Sequence, residues 1–186
     1  MKKTIVLTAL ILVVGAGATW AHNNRRTIRE TLSGVQEVPV VSTTGSATFR
    51  AEISKDGDEI EYTLSFKDLE GDIRQSHIHI APEQNSGPIV LWLCQTAANT
   101  APAGTNPPQC FNALAGESPR NNTVSGVLRA SDVIPQLTNG IAANELAEVL
   151  ALINAGKSYV NIHSSMSPAG EIRSQIEGHD HGHDRD

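Results

Sequence analysis

Aromatic residues are scarce in this chain: three Phe, two Tyr and two Trp among 186 residues. Positive charge is the minority sign, with 14 Lys and Arg against 20 Asp and Glu. No basic stripe with interleaved aromatics occurs, so nucleic acid and anionic membrane surfaces are poor partners. There is no glycine-rich phosphate cradle and no dinucleotide fingerprint. A Gly-x-Ser-x-Gly elbow is also missing, and Ser164 and Ser165 beside His163 do not make a triad by adjacency, so serine hydrolysis has no support. Cysteine is limited to Cys94 and Cys110.

What is present begins with a targeting pattern. Lys2 and Lys3 precede an apolar run at 4–14, and small residues follow, with Ala16-Gly17-Ala18 or Thr19-Trp20-Ala21 as cleavage sites. That order describes a signal peptide over 1–21, and the run is too short for a membrane span. An uncleaved N-terminal anchor is the alternative. Removing Lys2 and Lys3 takes the formal charge from −6 to −8. Cleavage after Ala21 exposes His22, whose amine and imidazole can chelate copper or belong to a plain polar leader at 22–26. Export to the periplasm or the exterior makes Cys94–Cys110 a disulfide, since an oxidising compartment pairs such thiols. It closes a loop of about 17 residues, worth roughly 3 kcal/mol in the chain-entropy model.

Hydrophobic period predicts an all-β domain over 27–177 with one inserted short helix. Strands are expected at 27–32, 46–53, 59–66, 88–94, 123–128, 159–163 and 171–176, and another through His77 and His79. Asp56-Gly57 marks a hairpin turn. Gly126 suggests a bulge. A helix over 143–155 carries Leu146, Val149, Leu150 and Ile153 at i, i+3, i+4, i+7, with Asn144 or an earlier residue as its cap and Gly156 at its end. Seven or eight short strands argue an immunoglobulin-like or Greek-key β-sandwich or barrel. The tail at 178–186 has no apolar anchor and is expected to be disordered.

The chemistry concentrates in histidine. His77 and His79 stand at i, i+2, so on a strand both imidazoles face one way, with Cα atoms about 6.5–7 Å apart. That spacing lets two nitrogens reach one ion at about 2.0 Å. His163 on a neighbouring strand completes a three-nitrogen set suited to copper or zinc. The alternative is a hydrogen-bonded structural group holding Glu37, Glu171 or loop carbonyls. Asn161 and Gln75 share the histidine faces as supporting residues. Arg173 can pair with Glu37 and pin the first connection to the last strand, and Glu171 shares its face. His179, His181 and His183 in the tail form a weaker chelating run. A faint echo relates His77-Ile78-His79-Ile80-Ala81-Pro82, later followed by Gly87-Pro88-Ile89-Val90, to Asn161-Ile162-His163-Ser164-Ser165-Met166-Ser167-Pro168, followed by Gly170-Glu171-Ile172-Arg173.

Several motifs together resemble the CHRD family, named after chordin. They are Leu32-Ser33-Gly34-Val35-Gln36-Glu37-Val38-Pro39, Gly45, Ser76-His77-Ile78-His79 and Gly87-Pro88-Ile89-Val90, then Tyr159-Val160-Asn161-Ile162-His163 and Gly170-Glu171-Ile172-Arg173-Ser174-Gln175-Ile176. Ser174 stands where the family usually has glycine. The resemblance implies an immunoglobulin-like β-barrel of largely undefined biochemical role. A more distant similarity links His77, His79 and His163 to copper/zinc superoxide dismutases, but the bridging histidine and zinc aspartate of those enzymes have no counterparts. The expected function is an exported, non-enzymatic binding or envelope-associated module, meeting a metal ion or an extracellular protein. The alternative is a copper- or zinc-binding protein with metal-handling or dismutase-like activity at the three histidines.

Overall fold

A computed structural model describes residues 26–178. It contains eight strands: β1 (Arg26–Ser33), β2 (Ser46–Ile53), β3 (Glu59–Lys67), β4 (Ile73–Ile80), β5 (Ile89–Cys94), β6 (Asn122–Arg129), β7 (Ser158–Ser164) and β8 (Ile172–Ile176). Among the described residues one α-helix, α1 (Leu146–Asn154), precedes β7, and four single 3-10 turns lie in the loops. The segment expected to be a signal peptide, His22 and the tail histidines His179, His181 and His183 lie outside the described residues. Arg26, placed in the leader by the sequence, opens β1 and faces Ile53 in the register.

All strand pairs are antiparallel, in the order β5-β4-β7-β8-β1-β2-β3-β6. The chain draws a meander through β1, β2 and β3, then crosses to form the β4–β5 hairpin. It returns to lay β6 beside β3, and crosses again to lay β7 beside β4. The two end strands approach each other. Just beyond β6, Ile134 N–H donates to Val90 O at 2.9 Å, and Gln136 Nε2 donates to Ile89 O at 2.8 Å. The Tyr62 hydroxyl donates to Leu93 O across the same gap. A sheet nearly closed in this way leaves little open edge. The expected all-β, Greek-key barrel with one inserted helix is the fold.

Period-two patterning places the core. On β2, Ala47, Phe49, Ala51 and Ile53 are buried, and Thr48, Arg50 and Glu52 are exposed. β3 answers with Ile60, Tyr62, Leu64 and Phe66. Each such large side chain contributes about 1.5–3 kcal/mol on burial. Gly57 in the connecting turn has φ +71°, a conformation that glycine adopts without strain. Helix α1 buries Leu146, Val149, Leu150 and Ile153. It starts later than its periodicity suggests: Asn144 sits at φ +66°, and the Glu145 carboxylate accepts from Ala142 N–H at 2.7 Å rather than capping the first turn.

Gly126 is not a bulge. The β3–β6 register runs through it unbroken, with Tyr62 opposite. A Cβ there would lie 2.6 Å from Tyr62 Oη, so the glycine makes room for that ring. The register shifts fall instead on β4 against β5, between Ser76 and His77 and between Ile78 and His79. Bulges re-aim side chains, and here they sit among the histidines. β5 is buried on both sides, as its apolar run predicts. The Cys94–Cys110 disulfide is formed and buried, and Thr105 to Pro108 in the loop it closes line a cleft with Trp92.

Candidate functional site: a buried three-histidine cluster

Alternation along β4 sends Ser76, Ile78 and Ile80 one way and His77 and His79 the other. On β7, Tyr159, Asn161 and His163 share the histidine side. Register brings them together: His77 faces Asn161, His79 faces Tyr159, and Gln75 faces His163. β8 sets Arg173 against Asn161 and Gln175 against Tyr159. On the other flank Trp92 of β5 faces His77. This is the outer face of the barrel, yet it is dry. His77 is 0% exposed, His79 7%, His163 8% and Asn161 3%. The residues around Glu37, Gly87 and Pro168 cover it.

The imidazoles meet. Ring centroids are 5.1 Å apart for His77–His163, 5.4 Å for His77–His79 and 6.2 Å for His79–His163. One ring nitrogen from each lies within 4.8 Å of the others. Two loop carbonyls set the tautomers. His79 Nδ1 bonds Gly87 O at 2.8 Å, and His163 Nδ1 bonds Pro168 O at 3.0 Å. A carbonyl only accepts, so Nδ1 carries the proton and Nε2 presents its lone pair inward. Both Nε2 atoms are buried without a hydrogen-bond partner, and so are both ring nitrogens of His77. An unsatisfied buried polar atom costs about 1–3 kcal/mol. A cation with nitrogen ligands would resolve three of these four, one from each ring. Among the described residues, no acid and no fourth histidine joins the group.

Burial keeps the cluster neutral. It pushes His77 down to about 2, helped by the other two imidazoles. His79 is pushed down to about 4, again by burial, with Gly87 O pulling partly back. His163 is lowered for the same reason, and Pro168 O opposes the shift. Neutral imidazole is the metal-binding form.

The surroundings order the ligand rings. Tyr159 stacks on His79, centroids 4.6 Å apart and planes 5° off parallel, and Arg173 Cζ sits 3.5 Å from the centroid of the same Tyr159 ring. The Tyr159 hydroxyl accepts from Gly87 N–H at 3.2 Å, fixing the loop whose carbonyl holds His79. Trp92 meets His77 edge-on at 4.2 Å. Arg173 is 2% exposed and directs its hydrogen bonds to Asn85 O at 2.9 Å and Gln175 Oε1 at 3.1 Å. The bidentate pair with Glu37 does not form, and Glu37 feels this cation through space. Burial pushes the Glu37 carboxyl up to about 7, against the pull of Arg173, Val38 N–H and the Asn161 side chain.

Glu171 belongs elsewhere. Its carboxylate accepts from Thr43 Oγ1 at 2.7 Å, Glu70 N–H at 2.8 Å and Gly71 N–H at 3.4 Å, so it ties two loops to β8 rather than supporting the histidines. Reading the sequence missed Tyr159, Trp92 and the carbonyls of Gly87 and Pro168. A signal for the first carbonyl exists in Gly87, where a Cβ would lie 1.9 Å from Ile80 O, so only glycine fits. The echo between the two histidine strands also acquires a meaning: in each half an imidazole is oriented by a carbonyl of the following turn.

A model of the CHRD domain family matches residues 28–176, from β1 to the end of β8. The chain belongs to the CHRD family. No curated protein and no solved structure matches it. In this CHRD domain most of the segments that carry the resemblance contribute to one place, while Gly45 and Glu171 meet at another. Glu37, His77, His79, Gly87, Tyr159, Asn161, His163, Gly170 and Arg173 all lie in or beside the cluster. Among the described residues no helix is long and apolar enough to cross a membrane.

Proposed function

We propose that this CHRD domain is an exported, non-enzymatic binding module of the envelope or exterior, and that its ligand is a copper or zinc ion held by His77, His79 and His163. The disulfide and the signal-like N-terminus support export. The observation that carries the ligand is the set of buried, unpartnered ring nitrogens, two of them turned inward by backbone carbonyls. Three imidazoles suit copper and zinc. The ion would supply a positive centre that satisfies all three rings at once. Dismutase-like redox activity is not part of this reading, because rings only 0–8% exposed leave a seated ion little contact with a diffusing substrate.

The test is metal analysis of untagged protein ending at Glu177, reconstituted with copper or zinc and then dialysed. About one equivalent is expected, because three ring nitrogens within 4.8 Å of one another need only small shifts to share one ion at about 2.0 Å. His77→Ala and His163→Ala should abolish it. Copper should quench Trp92, whose ring lies 4.2 Å from His77. Less than roughly a tenth of an equivalent in the wild type would overturn the assignment, since three clustered neutral imidazoles that bind copper or zinc should fill under excess metal.

A further inference from the structure

The cluster offers three neutral donors and no anion. A divalent ion seated there keeps its full charge in a dry site, and uncompensated buried charge is costly. A buried acid on the loop that covers the site is Glu37, which lies against Gly170 and shares a cleft with Arg173. It is 6% exposed, and its Oε1 has no partner. Asn161 stands on the strand between, opposite His77 on β4 and Arg173 on β8. Asn161 Oδ1 is itself buried and unpartnered. Glu37 also lines a cleft of about 350 Å³ with Val35, Val40, Glu83, Arg173 and Gln175. It therefore has the metal site behind it and water in front.

We propose that Glu37 is the counter-charge of the metal site: a cation seated among the three imidazoles ionises the Glu37 carboxyl, coupled to the site through Asn161, and the proton leaves by the cleft. The inference rests on the metal-binding reading above. The balance is simple. Metal–nitrogen bonds form from imidazole lone pairs already bare, one carboxyl O–H bond breaks, and the proton passes to solvent.

The groups facing Glu37 are few. Its own loop supplies Val38 N–H, β7 supplies Asn161 and Tyr159, and β8 supplies Arg173. Glu83 acts on Arg173 across the cleft. Arg173 stays charged throughout the pH range of interest. Tyr159, pushed up by burial, stays neutral there. Glu37 is thus the group free to change charge. Gly170 leaves it space: at φ +139°, a Cβ there would lie 2.5 Å from Glu37 Oε1.

The experiment is calorimetric zinc titration of the exported chain, tail included, in buffers of different ionisation enthalpy. Comparing wild type with Glu37→Gln cancels protons from the tail and from zinc-bound water. With the carboxyl near 7, the wild type should release about three quarters of a proton more than Glu37→Gln at pH 6.5, falling to about a tenth at pH 8. Glu37→Asp should restore most of the release. Equal release in wild type and Glu37→Gln, both binding one zinc, overturns the inference and leaves metal binding intact. Absence of zinc binding in the wild type overturns both. If Glu37→Gln does not fold, the wild-type pH series decides after subtraction of the release from His163→Ala, which keeps the tail: a difference that falls from pH 6.5 to 8 supports Glu37, and one that is flat or rises overturns it.

Discussion

Acidifying the metal-free domain from pH 7 to pH 5 should remove about 2 kcal/mol of net stability, and Glu37→Gln should roughly double that loss. The histidines set the first part. His77 is held near 2 and His79 near 4, against about 6.5 in an unfolded chain. Below about 6.5 the unfolded chain takes up protons that the folded cluster refuses, so stability present above that pH is lost as pH falls. At pH 5, about 1.5 units below the unfolded value, each ring costs about 2 kcal/mol, or about 4 for the two. His163 adds loss of the same sign. Glu37 opposes it. Its carboxyl is raised to about 7, so the folded state gains on protonation, by about 2 kcal/mol between pH 7 and pH 5. Glu30, also raised by burial, acts in the same direction as Glu37. Urea unfolding with a chelator present, followed by Trp92 fluorescence, measures the balance. His77→Leu, neutral at every pH, should reduce the acid loss by about 2 kcal/mol. Wild-type stability that holds or rises from pH 7 to pH 5 would refute the reasoning. So would a Glu37→Gln variant with the wild-type slope.

Two further substitutions test the frame around the site. Gly126→Ala places a methyl 2.6 Å from Tyr62 Oη, on a ring that is 4% exposed and tied to Leu93 O. It should cost about 1–3 kcal/mol in denaturant unfolding, and a neutral result would mean that the ring is free to move. Replacing Cys94 and Cys110 together by serine should lower stability by about 3 kcal/mol in a thermal melt under oxidising conditions. An unchanged melting temperature would show that the 95–109 segment is held without its bond.

Much of the barrel was legible because its cues are local. Alternation at 46–53 and 59–66 and the Asp56-Gly57 turn name a hairpin without any knowledge of neighbours. The helix was legible from its i, i+3, i+4, i+7 leucine, valine and isoleucine pattern, but its start was not. Asn144 reads as a cap, yet takes a left-handed turn imposed by the preceding loop. Gly126 misleads for a similar reason. Whether a strand glycine marks a bulge or a large neighbour depends on the residue opposite, here Tyr62, 64 positions away. Arg173 and Glu171 were read as partners of one surface because they alternate together. Glu171 falls one step past the edge of β8, where the loops at Thr43 and Glu70 reach it first.

The sequence alone determined the all-β class, the cysteine pair and the identity of the three imidazoles, because side-chain period and residue chemistry are written in consecutive positions. Tertiary structure decided the rest. β7 lies beside β4 through a crossover, so His163 reaches His77 and His79 from more than 80 residues away. The atoms that aim the rings are backbone carbonyls of Gly87 and Pro168, a group every residue possesses, and only the glycine at 87 leaves a trace of one of them in the sequence. Dryness also came from tertiary structure alone: the loops bearing Glu37, Gly87 and Pro168 close over an outer barrel face, and only that burial keeps the imidazoles neutral and raises the carboxyl beside them.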